Sequence, residues 1–390
     1  MPNSLSITIL LMPYLDLVYP RGNFVTSEVY WRHGLSLTRL LIQPGTGIGP
    51  LIEGIDQAKE ILQIVIFRFD RGDVEMALKR AVKRGVFVHA LVAYTSSGQG
   101  GEQRLRRLEM RLLAGGVSVA RTAVDLVRYH DKLMIVDKTI LYMLGFNYTY
   151  LDTERSRSFG IISDFTDWVR EAERLFIADT TSQMYEPLCD TFLVSPGNSR
   201  KELLAFISGA RKQLLIYDGK LSDPEMLNLL ALKVSEGVEV RVIGTVGKLG
   251  AGIEVARPIL RLHAQAIVRD DQQLYMGSQS LRSLELDARR EVGVLLYDAD
   301  IAHQVKETFE SDWDKIRSSH KAVLPVTVTA QAMGGNVELS PEASAQIVQS
   351  AVKEAIMDAV METIHQSPDM IPLKDTVKEA AKEALAELAL

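Results

Sequence analysis

The feature that most constrains this 390-residue chain is a strand–helix–strand pattern that it runs through twice. In the first copy an apolar-periodic stretch, Leu51 to Lys59, precedes the strand-like run Leu62-Gln63-Ile64-Val65-Ile66-Phe67. A helix is predicted from Glu75 to Arg84, stopping at Gly85, because glycine takes the left-handed conformation that closes a helix. Val86 to Val92 then alternates and β-branches like a strand. The second copy repeats each step: helix Leu203 to Lys212, strand Leu214 to Tyr217, helix Pro224 to Ser235 with Gly237 as its stop, strand Val238 to Ile243. Apolar strands alternating with helices predict sheets covered by helices, an α/β fold.

Each copy then carries a histidine in the same frame. Tyr129-His130-Asp131-Lys132 leads to Asp137, and Leu144-Gly145-Phe146-Asn147 follows. Leu262-His263-Ala264-Gln265 leads to Asp270, and Gly277-Ser278-Gln279-Ser280 follows. Alternation places His130 and Lys132 on one side of a strand. A symmetric pair of imidazoles suits in-line displacement at phosphorus, one as nucleophile and the other, protonated, as acid to the leaving alcohol. A neighbouring lysine neutralises phosphate charge, and hydroxyl and amide side chains supply donors to the non-bridging oxygens. This chemistry asks for no metal or other cofactor, and no spacing in the chain suggests a metal site.

His130-x-Lys132-x-x-x-x-Asp137 and His263-x-Gln265-x-x-x-x-Asp270 resemble the duplicated motifs of the phospholipase D superfamily, over about residues 46 to 320. Lys83-Arg84-Gly85-Val86 resembles that family's helix-to-strand junction. Leu193-Val194-Ser195-Pro196 with Asn198-Ser199-Arg200 resembles the start of the second half in bacterial cardiolipin-synthase-like members. Asp167-Trp168 and Asp312-Trp313 resemble closing pairs of the two halves. The resemblance implies two similar α/β sandwich halves related by a pseudo-dyad and sharing one active site, which works through a covalent phosphohistidine. By position His130 matches the nucleophile and His263 the general acid. Glu291 matches an acid that orients a histidine, with His263 as its expected partner. The catalytic set implied is His130, His263, Lys132, Glu291, Asp137 and Asp270, with Asn147, Ser278, Gln265 and Ser280 binding substrate.

The departures from the pattern are complementary. The first motif has Gly145 at the expected serine and Ser158 at the expected glutamate; the second has Gln265 at the expected lysine and Ser280 at the expected asparagine. Loss of one cationic donor costs about 3–4 kcal/mol of transition-state stabilisation by analogy with single oxyanion donors. Gln265 still donates a neutral hydrogen bond. The implied activity is a phosphodiesterase or phosphatidyltransferase, with phospholipid favoured over nucleic acid as substrate. A member that only binds anionic head groups or assembles with partners, and a nuclease of the same superfamily, are the alternatives.

Composition sets the rest of the expectations. With a single cysteine, Cys189, the chain forms no internal disulfide and no Cys-cluster metal site. The formal charge is −6, and residues 338–390 carry ten acidic side chains against four lysines, which leaves 40 of each sign in the body. The acidity therefore says little against nucleic acid. The expected organisation is an N-terminal segment 1–45, halves at 46–185 and 186–325, and an amphipathic helical tail at 338–390 with Ser340-Pro341 at its start. That tail suits homo-oligomer formation. The apolar run Ile7 to Leu17 is short, broken by Pro13 and Asp16, and has no Lys or Arg ahead of it, so it does not read as a secretory signal. A cytoplasmic location with peripheral membrane contact is expected.

Overall fold

The computed structural model describes residues 31–33, 36–94, 101–247 and 252–322; the apolar N-terminal run and the expected C-terminal helices lie outside the described residues. Two mixed sheets form the frame. The first has the order β1 (Trp31–His33), β2 (Ser36–Gln43), β9 (Ser156–Ser163), β8 (Ile140–Leu144), β7 (Leu133–Val136), β3 (Ile61–Ile66), β4 (Phe87–Val92), β5 (Ser118–Arg121). The second has the order β10 (Phe192–Ser195), β17 (Arg289–Leu296), β16 (Gln273–Gly277), β15 (Gln265–Arg269), β11 (Gln213–Leu221), β12 (Glu239–Val246), β13 (Glu254–Ala256). The helix from Pro224 is α7 (Pro224–Ser235), capped by Asp223, whose side chain accepts the Met226 N–H.

Three apolar layers explain why the strands read as near-continuous hydrophobic runs: they are buried on both faces. One core lies outside the first sheet under α1 (Gly49–Gln57), α2 (Gly72–Lys83) and α3 (Gly101–Ala114). A second lies outside the other sheet under α6 (Ser199–Ser208), α7 and α8 (Ser283–Asp287). The third sits between the sheets and takes in α5 (Thr166–Thr181) and α9 (Ala299–Ala322).

β2 pairs with β9, so the described part of residues 36–45 is built into the first sheet and is not a separate segment. Its partner in the duplication is β10: Gln43 lies opposite Ser158 just as Ser195 lies opposite Glu291, and Pro-Gly follows both. The Asp-Trp pairs are not equivalent. Asp167-Trp168 opens α5, whereas Asp312-Trp313 lies in the second half of α9.

The halves are laced together by exchange. β6 (Arg128–Tyr129) leaves the first half to pair in parallel with β17, and β14 (Arg261–Leu262) leaves the second to pair with β9. Two ion pairs, one buried and one half-buried, repeat the exchange: Arg290 grips Asp179 of α5, and Arg157 grips Asp312 of α9, each through two nitrogens. Arg157/Arg290 and Asp179/Asp312 share the 133-residue separation of His130 and His263.

Candidate active site

The chain crosses from one sheet to the other at each histidine. His130 lies in the three-residue connection from β6 to β7, and its N–H donates to the Arg290 carbonyl at 2.8 Å. His263 follows β14, and its N–H donates to the Arg157 carbonyl at 2.9 Å. His130 and Lys132 are thus in a crossover and not on a strand, because β6 belongs to the other half's sheet. The exchange brings the imidazoles together, with ring centroids 6.3 Å apart. Phe67 meets His130 edge-on at 4.6 Å and forms an apolar wall beside it.

Each histidine meets a carboxylate from the opposite half. Glu291, fully buried on β17, lies 2.9 and 3.0 Å from His130 Nδ1 through its two oxygens. His263 Nδ1 lies 3.0 Å from Oδ2 of Asp152 on α4 (Tyr150–Glu154), at ion-pair distance but off the line of a good hydrogen bond. Glu291 therefore faces His130, not His263 as expected from its motif position: β17 and β6 are paired, and the carboxylate follows the strand it sits on. Sequence reasoning missed Asp152. A signal was present, since Glu285 stands 133 residues later and both follow an Asn or Ser by five positions. It also missed the arginine two residues before each histidine, Arg128 and Arg261.

The other predicted residues sort into supports and absentees. Asn147 donates to Asp152 Oδ2 through both its backbone N–H (2.9 Å) and Nδ2 (2.7 Å), and so fixes the carboxylate. Ser278 Oγ accepts from the Val292 N–H and stands beside Glu291, which it stabilises as the anion. Ser280 turns elsewhere: its hydroxyl donates to Asp218 and its N–H to Glu285. Half-buried Gln265 opens β15 opposite Gly277. Asp137 and Asp270 are not in the site. Asp137 accepts the N–H groups of Lys59, Glu60 and Ile61, and Asp270 those of Arg211, Lys212 and Gln213. Asp137 follows the far end of β7, about 16 Å of extended chain from Lys132. Both aspartates tie a tight turn to the start of a neighbouring strand.

Electrostatics favour a neutral His130. Burial holds its pKa well below the usual histidine value, and Lys132, His263, Arg128 and Arg289 push the same way. Lys132 Nζ is 3.1 Å from Nδ1 and 3.0 Å from Nε2, so it stands over the ring and is aligned with neither lone pair. Burial lowers Lys132 to about 8, opposed by Glu291, Asp152 and Asp131. Burial pushes Glu291 up to about 7, opposed by Lys132. Burial works against ionisation of Asp152 too, but its contacts with His263 and Asn147 outweigh it and hold the acid well below the carboxylate range. Arg261 adds a 2.5 Å contact to the same carboxylate. Burial lowers His263, and Asp152 opposes that shift. Among the described residues no group of three or more His, Cys, Asp or Glu is placed to hold a metal ion.

Two imidazoles with ring centroids 6.3 Å apart, each beside the other half's acid, form one composite cluster, an arrangement of the kind that displacement chemistry uses. The family model "Cardiolipin synthase, PLD-like domain" matches residues 51–180 and 244–313, just over half of the chain, and the chain belongs to that phospholipase D-like family. It is 21% identical over 336 residues to Cardiolipin synthase 1 of Bacillus anthracis, covering 71% of this chain and 66% of that protein. Its identity to Cardiolipin synthase 1 of Bacillus cereus is 20% over the same length. The chain thus spans just under two thirds of these curated relatives. Among solved structures, polyphosphate kinase from Porphyromonas gingivalis is similar with a TM-score of 0.57 at 16% identity, over 70% of this chain and 46% of that one. Phosphatidylserine synthase from Haemophilus influenzae is similar with a TM-score of 0.53 at 12% identity, over 72% and 86%. These two likenesses concern the fold.

Proposed function

We propose that the chain is a phospholipase D-type enzyme that transfers a phosphatidyl group from a phospholipid to an alcohol or to water through a phosphohistidine on His130. The observation that carries this reading is the reciprocal pairing of His130 with Glu291 and His263 with Asp152 across the halves. Glu291 accepts the Nδ1–H of neutral His130, which leaves the Nε2 lone pair for phosphorus. As the N–P bond forms, the P–O bond to the leaving alcohol breaks and that oxygen takes the proton of His263. The bound diester is itself an anion, and with ionised Asp152 it favours the His263 imidazolium against the effect of burial. Lys132, Arg128 and Arg289 surround His130 and supply charge to the phosphoryl oxygens. In the second step the incoming alcohol gives its proton to His263 and the P–N bond breaks. Names of the relatives, cardiolipin synthase and phosphatidylserine synthase, favour a phospholipid substrate.

The test is an acid- and base-quench experiment with a radiolabelled short-chain phosphatidylglycerol. Wild-type protein is expected to carry base-stable, acid-labile label on His130, and His130→Asn none. His263→Asn is expected to slow turnover by about 10²–10⁴. Wild-type turnover in His130→Asn would end the proposal.

A further inference from the structure

The halves fill the space beside their histidines differently. β3 and β11 are equivalent strands, since Ile64 lies opposite Met134 as Ile216 lies opposite Ile267. Successive side chains of a strand alternate between its faces. In β3, Val65 enters the layer between the sheets and Ile66 the outer core. In β11, Tyr217 enters the layer between the sheets, and Asp218 turns outward to accept from Ser280 and from the Leu281 N–H. The next residue is Phe67 in the first half and Gly219 in the second, and Phe69 and Leu221 then return to the outer cores. Gly219 thus holds the place of Phe67, the ring that meets His130 edge-on. It is exposed, and a Cβ atom there would meet nothing within 4 Å among the described residues. Its φ is not left-handed, so the backbone does not require glycine at this position. A glycine inside a strand weakens it, and often marks a place where a ligand comes close.

We propose that Gly219 is a specificity-determining residue: the opening it leaves beside His263 sets how large an alcohol can leave the phosphorus and how large an alcohol can enter. This rests on the transfer chemistry above. In-line displacement puts the attacking atom and the leaving oxygen on opposite faces of phosphorus. With Nε2 of His130 on one face, the alcohol is directed to the other, where His263 stands. The Phe67 ring closes the flank of the nucleophile, and the missing ring at 219 opens the flank of the alcohol. In the first step the P–O bond breaks and the departing oxygen takes the proton of His263. In the second the entering hydroxyl oxygen bonds to phosphorus, its proton passes to His263, and the bond to His130 Nε2 breaks. The same opening therefore serves both alcohols. A phenyl ring at 219 would leave room for water and methanol and crowd the carbons of anything larger.

The test compares wild-type protein with Gly219→Phe and, as a smaller step, Gly219→Ala. The first experiment is competition between deuterated methanol and butan-1-ol as acceptors of a phosphatidyl group from dioctanoyl-phosphatidylmethanol, whose own leaving group is small. The ratio of butyl to deuteromethyl product is expected to fall by about tenfold or more in Gly219→Phe, with deuteromethyl transfer continuing, and by a smaller factor in Gly219→Ala. The second experiment needs no turnover. In the His130→Asn background, NMR titration reads the affinities for dimethyl phosphate and for methyl butyl phosphate. Adding Gly219→Phe is expected to weaken the butyl ester by about tenfold relative to the dimethyl ester. A product ratio or a relative affinity that Gly219→Phe leaves unchanged overturns the proposal, and so does failure of both diesters to bind. Failure of the transferase reading looks different, because size-selective binding that depends on position 219 then persists in a protein that turns over no diester.

Discussion

The two halves share strand order, the exchanged strand and the spacing of their key residues, yet each supplies its carboxylate from a different place. The second half uses Glu291 on β17; the first has Ser158 there, and reaches across with Asp152 of α4. The second half's counterpart of Asp152 is Glu285, one methylene longer, and it turns to Arg289 and Arg282 instead of a histidine. The pseudo-dyad therefore dictates where each imidazole needs an anion, while leaving open which position provides it. A missing motif glutamate is not a missing acid. This weakens the alternative of a member that only binds anionic head groups.

The largest effects should come from breaking the two crossed pairs. Glu291→Gln is expected to lower kcat by about 10²–10⁴, with labelling of His130 slowed, because an amide carries no charge and no longer fixes the Nδ1–H tautomer of His130. Asp152→Asn should cost a similar factor and slow both steps, since His263 protonates the leaving alcohol in the first and takes the acceptor's proton in the second. Rapid-quench kinetics of both variants separates the steps. Label that formed at the wild-type rate in Asp152→Asn would take His263 out of the first step.

A second difference is the lysine. Lys132 stands over His130, and Gln265 holds the matching sequence position two residues after His263. Lys132→Gln should lower kcat/KM by about 10²–10³, the scale of one lost oxyanion donor. The pH profile carries a sign. Lys132 is a cation below about 8 and neutral above it, so activity should fall as pH rises through about 8. The acid limb should begin near 7, where Glu291 takes up a proton, with His130 protonated only well below the usual histidine range. Lys132→Arg should remove the alkaline limb, since a guanidinium keeps its charge. Gln265→Lys should raise kcat/KM by about tenfold if the second half lacks only charge. A profile unchanged by Lys132→Arg would detach the alkaline limb from this lysine.

Much of the scaffold was legible because it is local. Gly85 and Gly237, both with positive φ, close the helices they were expected to close, and Pro224 opens α7. The matched frames of His130 and His263 were legible because duplication preserves spacing. What escaped was everything made by exchange: no local pattern says that β6 will join the other half's sheet, so the partner of Glu291 was misassigned and Asp152 went unseen. Asp137 and Asp270 misled for the opposite reason. Their regular spacing from the histidines is real, but it serves a turn whose aspartates sit at φ of 49° and 54° and collect backbone N–H groups.

The smallest expected effect concerns Gly145 and its counterpart Ser278. Both donate their N–H to equivalent carbonyls, Phe159 at 2.9 Å and Val292 at 2.8 Å. At 278 a side chain fits, and its hydroxyl bridges the Val292 N–H and carbonyl. At 145 a Cβ atom meets the Phe159 carbonyl oxygen at 2.9 Å and the Gly277 carbonyl oxygen at 3.2 Å, backbone atoms of both halves. Gly145→Ala and Gly145→Ser should therefore each destabilise the fold by about 1–3 kcal/mol, read as a lowered Tm. The motif serine is absent from the first half for want of room beside the other sheet. Destabilisation by serine alone would shift the cause to the hydroxyl, and a Tm unchanged in both variants would make the halves sterically interchangeable here.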